Sequence, residues 1–278
     1  LFVCPVTEKK QKNQPWQFTV YSNAVKTPRF PRPTRNAMVL PFPVPEAIVK
    51  NVDSSKSHLV EANKDVIQFV NLKPFEQKHG KFFTLVNNPF VLPRENSWRL
   101  LSYSSDSDTL EVVQVGDYSC SVARTLNDLK RVDATVFNLS SNLEAVLSKY
   151  YASGYGFVIA AFDPETPVDT NAESSHPIAY IHHRLPTGEY FVPTRHEHNG
   201  RDIVSVDHWD HNIYAANTGP VVSPKPVSQL NAKNDPFSTS HKKTLESATQ
   251  DRFNFPPISS LIKVTVKGRY DNTDFAFS

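Results

Sequence analysis

Residues 141–162 read SNLEAVLSKYYASGYGFVIAAF, and two different periodicities meet inside this stretch. Ser141 followed by Glu144 makes a capping box, in which each side chain satisfies a backbone N–H that the first helical turn leaves open. Leu143, Val146, Leu147, Tyr150 and Tyr151 then recur at helical spacing until Gly154 offers a left-handed stop. Directly after it, YGFVIAAF at 155–162 is an unbroken apolar run of strand length, suited to the centre of a sheet. A helix feeding a buried strand predicts a mixed domain.

Outward from that unit the chain punctuates itself with short apolar runs. VIQFV at 66–70, KFFTLV at 81–86, LEVVQV at 110–115 and YSCSVAR at 118–124 read as strands between polar turns. AMVLPFPV at 37–44 is strand-like, but Pro41, Pro43 and Pro45 cannot donate to a ladder, so an edge strand or an irregular segment is expected. Residues 177–183 and 189–194 flank Arg184-Leu185-Pro186-Thr187-Gly188 and read as a hairpin. The expected architecture is α+β: a mostly antiparallel short-stranded sheet with one clear helix, spanning 37–216. Residues 1–36 read as a basic, proline-rich N-terminal arm with one strand at 16–25, and 217–278 as a polar extended arm ending in a strand at 261–267.

Composition narrows the function classes. The 278 residues hold 22 prolines and only 8 glycines, with no GxGxxG or GxxxxGK[ST] pattern, which excludes the common glycine-rich phosphate cradles. A formal charge of +2 predicts no bulk attraction to nucleic acid, although Lys9, Lys10, Lys12, Lys26, Arg29, Arg32 and Arg35 against Glu8 leave the first 36 residues at about +6. No run of 18 apolar residues occurs, so no membrane-spanning helix is expected. Cys4 and Cys120 exclude a cysteine-built zinc ribbon and leave one disulfide open. The compartment is not legible: Asn138-Leu139-Ser140 is a lone glycosylation sequon, too short to argue for secretion.

Residues 176–211, HPIAYIHHRLPTGEYFVPTRHEHNGRDIVSVDHWDH, carry seven of the ten histidines. If the strand that starts at Glu189 continues, His196 and His198 share one face, as two ligands of one ion do. Asp202 follows three residues on, a spacing that resembles the first half of the cupin pattern but lacks its later glycine and third strand-borne histidine. The HxH of metal-dependent amidohydrolases stands at the first strand of an eight-fold barrel, and 80 residues after His198 are too few for one. On a helix, Asp207, His208 and His211 would align. His196, His198 and His211 with Asp207 or Asp202 would then complete a mononuclear zinc, iron or manganese site, and Asp210 is the candidate base for a bound water. His182 and His183 point to opposite faces of a strand, so at most one can join. Against this, histidines and aspartates of this kind also serve as ordinary packing and capping residues.

Asn36-Ala37-Met38-Val39-Leu40-Pro41-Phe42-Pro43, Val115-Gly116-Asp117-Tyr118, the 192–200 segment VPTRHEHNG, and Asp207-His208 with Asp210-His211-Asn212-Ile213-Tyr214 together resemble an uncharacterised family of bacteria, protists and large DNA viruses. Its pattern is NAMxLPxP, VGxY, PTxHxHxG and DHxxY. The resemblance covers about 16–214 and implies no activity; it singles out His196, His198, Asp210, His211 and Tyr214. Two functions are therefore expected. The first is a structural or interaction component of a larger assembly, docking by its arms on protein subunits or on a second copy, with no membrane span and with nucleic acid not expected as a partner. The alternative is a metal-dependent hydrolase or oxygenase using His196, His198 and His211.

Overall fold

The computed structural model describes residues 1–10, 14–22, 37–46, 63–90, 109–139, 143–162, 177–195, 206–219 and 228–277. Its largest sheet has eight strands, in the order β11 (Ser228–Ala232), β13 (Leu261–Asp271), β10 (Val206–Ala216), β1 (Phe2–Glu8), β2 (Trp16–Tyr21), β8 (Ile178–His183) and β4 (Ile67–Phe69), with β12 (Phe253–Asn254) paired to β1. A second sheet runs β3 (Ala37–Pro43), β7 (Tyr155–Phe162), β6 (Tyr118–Ala123) and β5 (Val113–Val115), and β9 (Tyr190–Val192) pairs with β14 (Phe275–Phe277). β1 against β10 is parallel and the other described pairings are antiparallel.

Side-chain alternation sorts these strands into layers. Val3, Tyr21, Ile178, Tyr180, Ile213 and Val264 of the large sheet meet Leu40, Phe42, Cys120, Val122, Val158 and Ala160 of the second sheet in one core. The opposite face of the large sheet, with Phe2, Phe18, Val20 and Ile181, is covered by α1 (Lys73–His79), α2 (Phe82–Asn87) and α4 (Thr239–Ala248) through Phe75, Phe82 and Leu245. The outer face of the second sheet, with Phe157 and Ile159, is covered by α3 (Leu143–Ala152) through Leu143, Val146 and Leu147. The result is four layers, helix on sheet on sheet on helix. Gly156 marks how closely the second sheet packs: a Cβ there would lie 2.8 Å from the Phe42 ring that crosses it.

The fold class is α+β, strand-dominated and mostly antiparallel. The 155–162 run is an interior strand, flanked by β3 and β6. β3 is an edge strand, as its prolines require. Gly154 (φ +82°) ends α3; Ser141 lies outside the described residues.

Four expectations change. First, the described residues hold four helices, not one. KFFTLV forms α2 because Phe82 and Val86, four apart, both bury, while the Glu76 carboxylate caps the Phe82 N–H at 2.8 Å; spacing outweighed its strand-like composition. Second, strands from the described parts of both expected arms belong to the large sheet. β1 and β2 sit near the middle of the large sheet, and β13 is inside it. Charge and proline averaged over 36 residues hid the local alternation of Phe2, Cys4, Val6 and of Trp16, Phe18, Val20, all buried on one face. Pro5 is tolerated because it lies between the β10 pairing, which ends at Val3, and the β12 pairing, which begins at Thr7. Third, β8 and β9 do not form a hairpin: β8 pairs with β2 and β4, β9 with β14. The tight turn exists, with Gly188 N–H donating to Leu185 O at 2.8 Å, but the chain then leaves the sheet. Fourth, Cys4 and Cys120 are both free and buried, so the open disulfide does not form. No helix of the described residues is long and apolar enough to cross a membrane.

Candidate functional site

The site and its surroundings have three parts, and the first is the 196–211 half of the sequence cluster. His196, His198 and Asp202 lie outside the described residues, as does His176. Asp207, His208, Asp210 and His211 lie on β10, not on a helix. The cause is visible in the ladder: β10 pairs with β13 over its full eleven residues, and Trp209 and Ile213 turn into the core two residues apart from the partly exposed His211. Helical convergence of Asp207, His208 and His211 is thereby overturned. Asp207 and His211 share the inward side of β10 but stand about 13 Å apart along the strand. His208 and Asp210 point the other way into solvent, and Asp210 makes a 3.7 Å ion pair with Lys267 across the ladder. Among the described residues no three His, Cys, Asp or Glu side chains converge on one point.

The second part is His182 and His183, on opposite faces of β8. His182 is fully buried between the two sheets. Its Nδ1 is 2.7 Å from the His183 carbonyl, and its Nε2 is 3.0 Å from Thr19 Oγ1. Because a carbonyl can only accept, Nδ1 carries the proton and Nε2 accepts from the Thr19 hydroxyl. Thr19 in turn accepts from Gln17 Nε2 at 2.8 Å. Burial depresses the imidazole pKa to about 3, so His182 is neutral. His183 Nε2 donates to Asp65 O at 2.9 Å, its ring stacks on Trp16 at 3.7 Å between centroids, and burial lowers its pKa also. Both rings are spoken for inside the fold.

Gln17 does more than feed this chain. Its Oε1 accepts from Phe191 N–H at 2.9 Å and its Nε2 donates to Phe191 O at 2.7 Å. The side-chain amide thus stands in for a neighbouring strand and fixes β9 after the chain has left β8.

The third part was not legible in the sequence. Asp274, in the short connection between β13 and β14, is half-buried and accepts from Thr194 N–H and Arg195 N–H, each at 2.8 Å on Oδ1, and from the Tyr150 hydroxyl of α3 on Oδ2 at 2.5 Å. Thr194 Oγ1 adds a 3.1 Å bond to Thr273 O. Burial raises the Asp274 carboxyl above its ordinary value, against the pull of those donors and of the Arg195 charge. Burial and the neighbouring Asp274 push the Tyr150 phenol up, and the Tyr155 phenol to about 12. Thr194 and Arg195 are the last described residues before His196. At the other end of that connection, Val206 opens β10 directly opposite Asp271. Both roots of residues 196–205 are therefore fixed by one turn, 271–274, whose ends are at most about 11 Å apart. Asp274 gives little sequence signal, being one acid before FAF, 79 residues from the motif it anchors.

No family model matches the chain, and no curated protein or solved structure is significantly similar to it.

Proposed function

We propose that this chain is a structural or interaction component of a larger assembly, with the histidine-rich connection 196–205 as its working element. In this reading His196 and His198 hold a divalent ion, zinc, iron or manganese, that stiffens the connection for contact with a protein subunit. The observation that supports it is the double anchoring: Asp274, itself bonded by Tyr150, holds Thr194 and Arg195, and Val206 pairs with Asp271, so both roots of the segment that carries His196, Glu197, His198 and Asp202 are held. Binding elements gain from such support because less order must be imposed when the ligand arrives. Docking by β1, β2 and β13 drops out, since those strands are core.

Elemental analysis of the purified full chain tests the reading. About one equivalent of metal is expected, lost in His196→Ala and in His198→Ala with the fold retained. Substoichiometric metal in chelator-free protein would sink it.

One observation favours the metal-dependent hydrolase or oxygenase as a second reading. His211 lies on the side of β10 where Trp209 packs on Phe275 of β14, 5.7 Å between ring centroids, next to the anchoring turn. It remains the described candidate for a third ligand. Asp210 faces away, so the proton-accepting role passes to Asp207. Metal lost in His211→Ala as well would favour this reading over the first.

A further inference from the structure

Sheet edges are hazards that proteins guard, because an open row of N–H and C=O groups pairs with any passing strand. The strands that end the described sheets are guarded in recognisable ways, with one exception. β4 and β5 are three residues each, as are β9 and β14, and β12 has two. β3 is longer but carries Pro41 and Pro43. β11, Ser228-Gln229-Leu230-Asn231-Ala232, has five residues, no proline and no charge, and it closes one end of the eight-stranded sheet with nothing among the described residues paired beyond it. At its centre Leu230 is 55% exposed.

We propose that β11 is a self-association edge, through which two copies of this chain pair β11 to β11 antiparallel about a two-fold axis at Leu230. A second copy is the occupant that the strand itself fits. An odd strand length puts Leu230 opposite its own symmetry mate, Ser228 opposite Ala232 and Gln229 opposite Asn231, so apolar meets apolar and amide meets amide. The strand is neutral, and the adjoining Lys233 lies three positions from the axis, opposite position 227, a valine, so no like charges are opposed. Two eight-stranded sheets become one. A five-residue pairing is a small interface, so the dimer is reversible and concentration-dependent.

Sedimentation velocity of the full chain from about 10 μM to about 1 mM reads the association. Wild type is expected to shift from monomer to dimer over that range. Leu230→Lys, which opposes two ammonium groups across the axis, is expected to stay monomeric. Under mild oxidation Leu230→Cys is expected to give a disulfide-linked dimer, since directly opposed Cβ atoms lie about 5 Å apart. Ser228→Cys serves as the control, because its own mate is about 13 Å away. The native Cys4 and Cys120 are buried and do not interfere. A wild-type monomer at every concentration, a Leu230→Lys dimer as tight as wild type, or equal cross-linking of the two cysteine variants would each overturn the proposal. None of these readouts involves residues 196–205, so the metal assay and this one fail separately.

Discussion

Two strands of the large sheet carry neighbouring histidines, and they use them in opposite ways. In β8 the rings of His182 and His183 are enclosed, each with a defined partner, and kept neutral by burial. In β10 His208 stands in solvent, while Asp210 is 68% exposed beside Lys267. Residue type is the same; depth and partners differ. A histidine count therefore predicts nothing until the strand that carries each ring is placed between its neighbours.

The contrast breaks if the β8 rings prove dispensable. His182→Ala removes a fully buried side chain and strands the Thr19 hydroxyl and the His183 carbonyl, with an expected cost of about 4 kcal/mol in urea unfolding. A cost below about 1 kcal/mol would mean that water replaces the ring at no penalty. The same pair gives a pH signature. Folded His182 has a pKa near 3 against 6.5 for the free side chain. The unfolded chain thus binds the extra proton between those values, and stability is full above pH 6.5 and falls as pH drops through that window. The expected slope is about 1.4 kcal/mol per pH unit for this group, with His183 acting in the same direction. Asp274, whose carboxyl is raised in the fold, acts in the opposite sense just above its ordinary value of 3.8. His182→Gln should flatten the slope below pH 6.5; an unchanged slope would assign the proton to another group.

Gln17→Leu sharpens the comparison by removing the residue that links the enclosed histidine to β9. The Phe191 N–H and C=O lose their partners inside the protein, at an expected cost of about 2 kcal/mol. Amide exchange at Phe191 should accelerate before that of the β8 amides does. Exchange that stays as slow as in wild type would show that the β14 pairing alone holds β9.

These predictions follow the line between what was and was not legible in the sequence. The α3–β7 unit was legible because helical spacing, glycine stop and apolar run all agree locally. The proline-bearing edge at β3 was legible for the same reason. The placement of β1, β2 and β13 was not, since it depends on pairing across the chain: Phe2 stands beside Tyr214, and His208 beside Arg269. Of the candidate site, the separation of His182 from His183 followed from strand alternation. The reading of Asp207–His211 as a helix failed because the same residues also fit a period of two, with Trp209 and Ile213 inward, and β13 decided between them. Gln17 and Asp274 gave no local signal, because their partners are backbone groups of distant residues.

Asp274→Asn should have a moderate effect. Asparagine keeps one acceptor for the Thr194 and Arg195 N–H groups but turns a donor toward Tyr150, so about 1 kcal/mol of stability is expected to go. The informative readout is local: exchange at Thr194 and Arg195 should rise more than exchange in β10. Equal acceleration in both would mean that the turn supports the sheet as a whole and does not specifically anchor residues 196–205.

The smallest effect belongs to the exposed side of the comparison. Asp210 and Lys267 are 68% and 70% exposed and 3.7 Å apart, so water and salt screen most of their attraction, and holding two flexible side chains together offsets part of what remains. Asp210→Ala should change stability by less than about 0.5 kcal/mol. His208→Ala should be equally mild, because no core atom loses a neighbour. Both variants leave the inward face of β10 untouched, so they separate the two sides of one strand. Metal content unchanged in Asp210→Ala and reduced in His211→Ala would show that only the face turned toward Phe275 and the anchoring turn takes part in binding. A large loss of stability or of metal in Asp210→Ala would instead mean that residues 196–205 cross to the outer face of the ribbon, and the frame built by Asp274 would then be holding them for contact on that side.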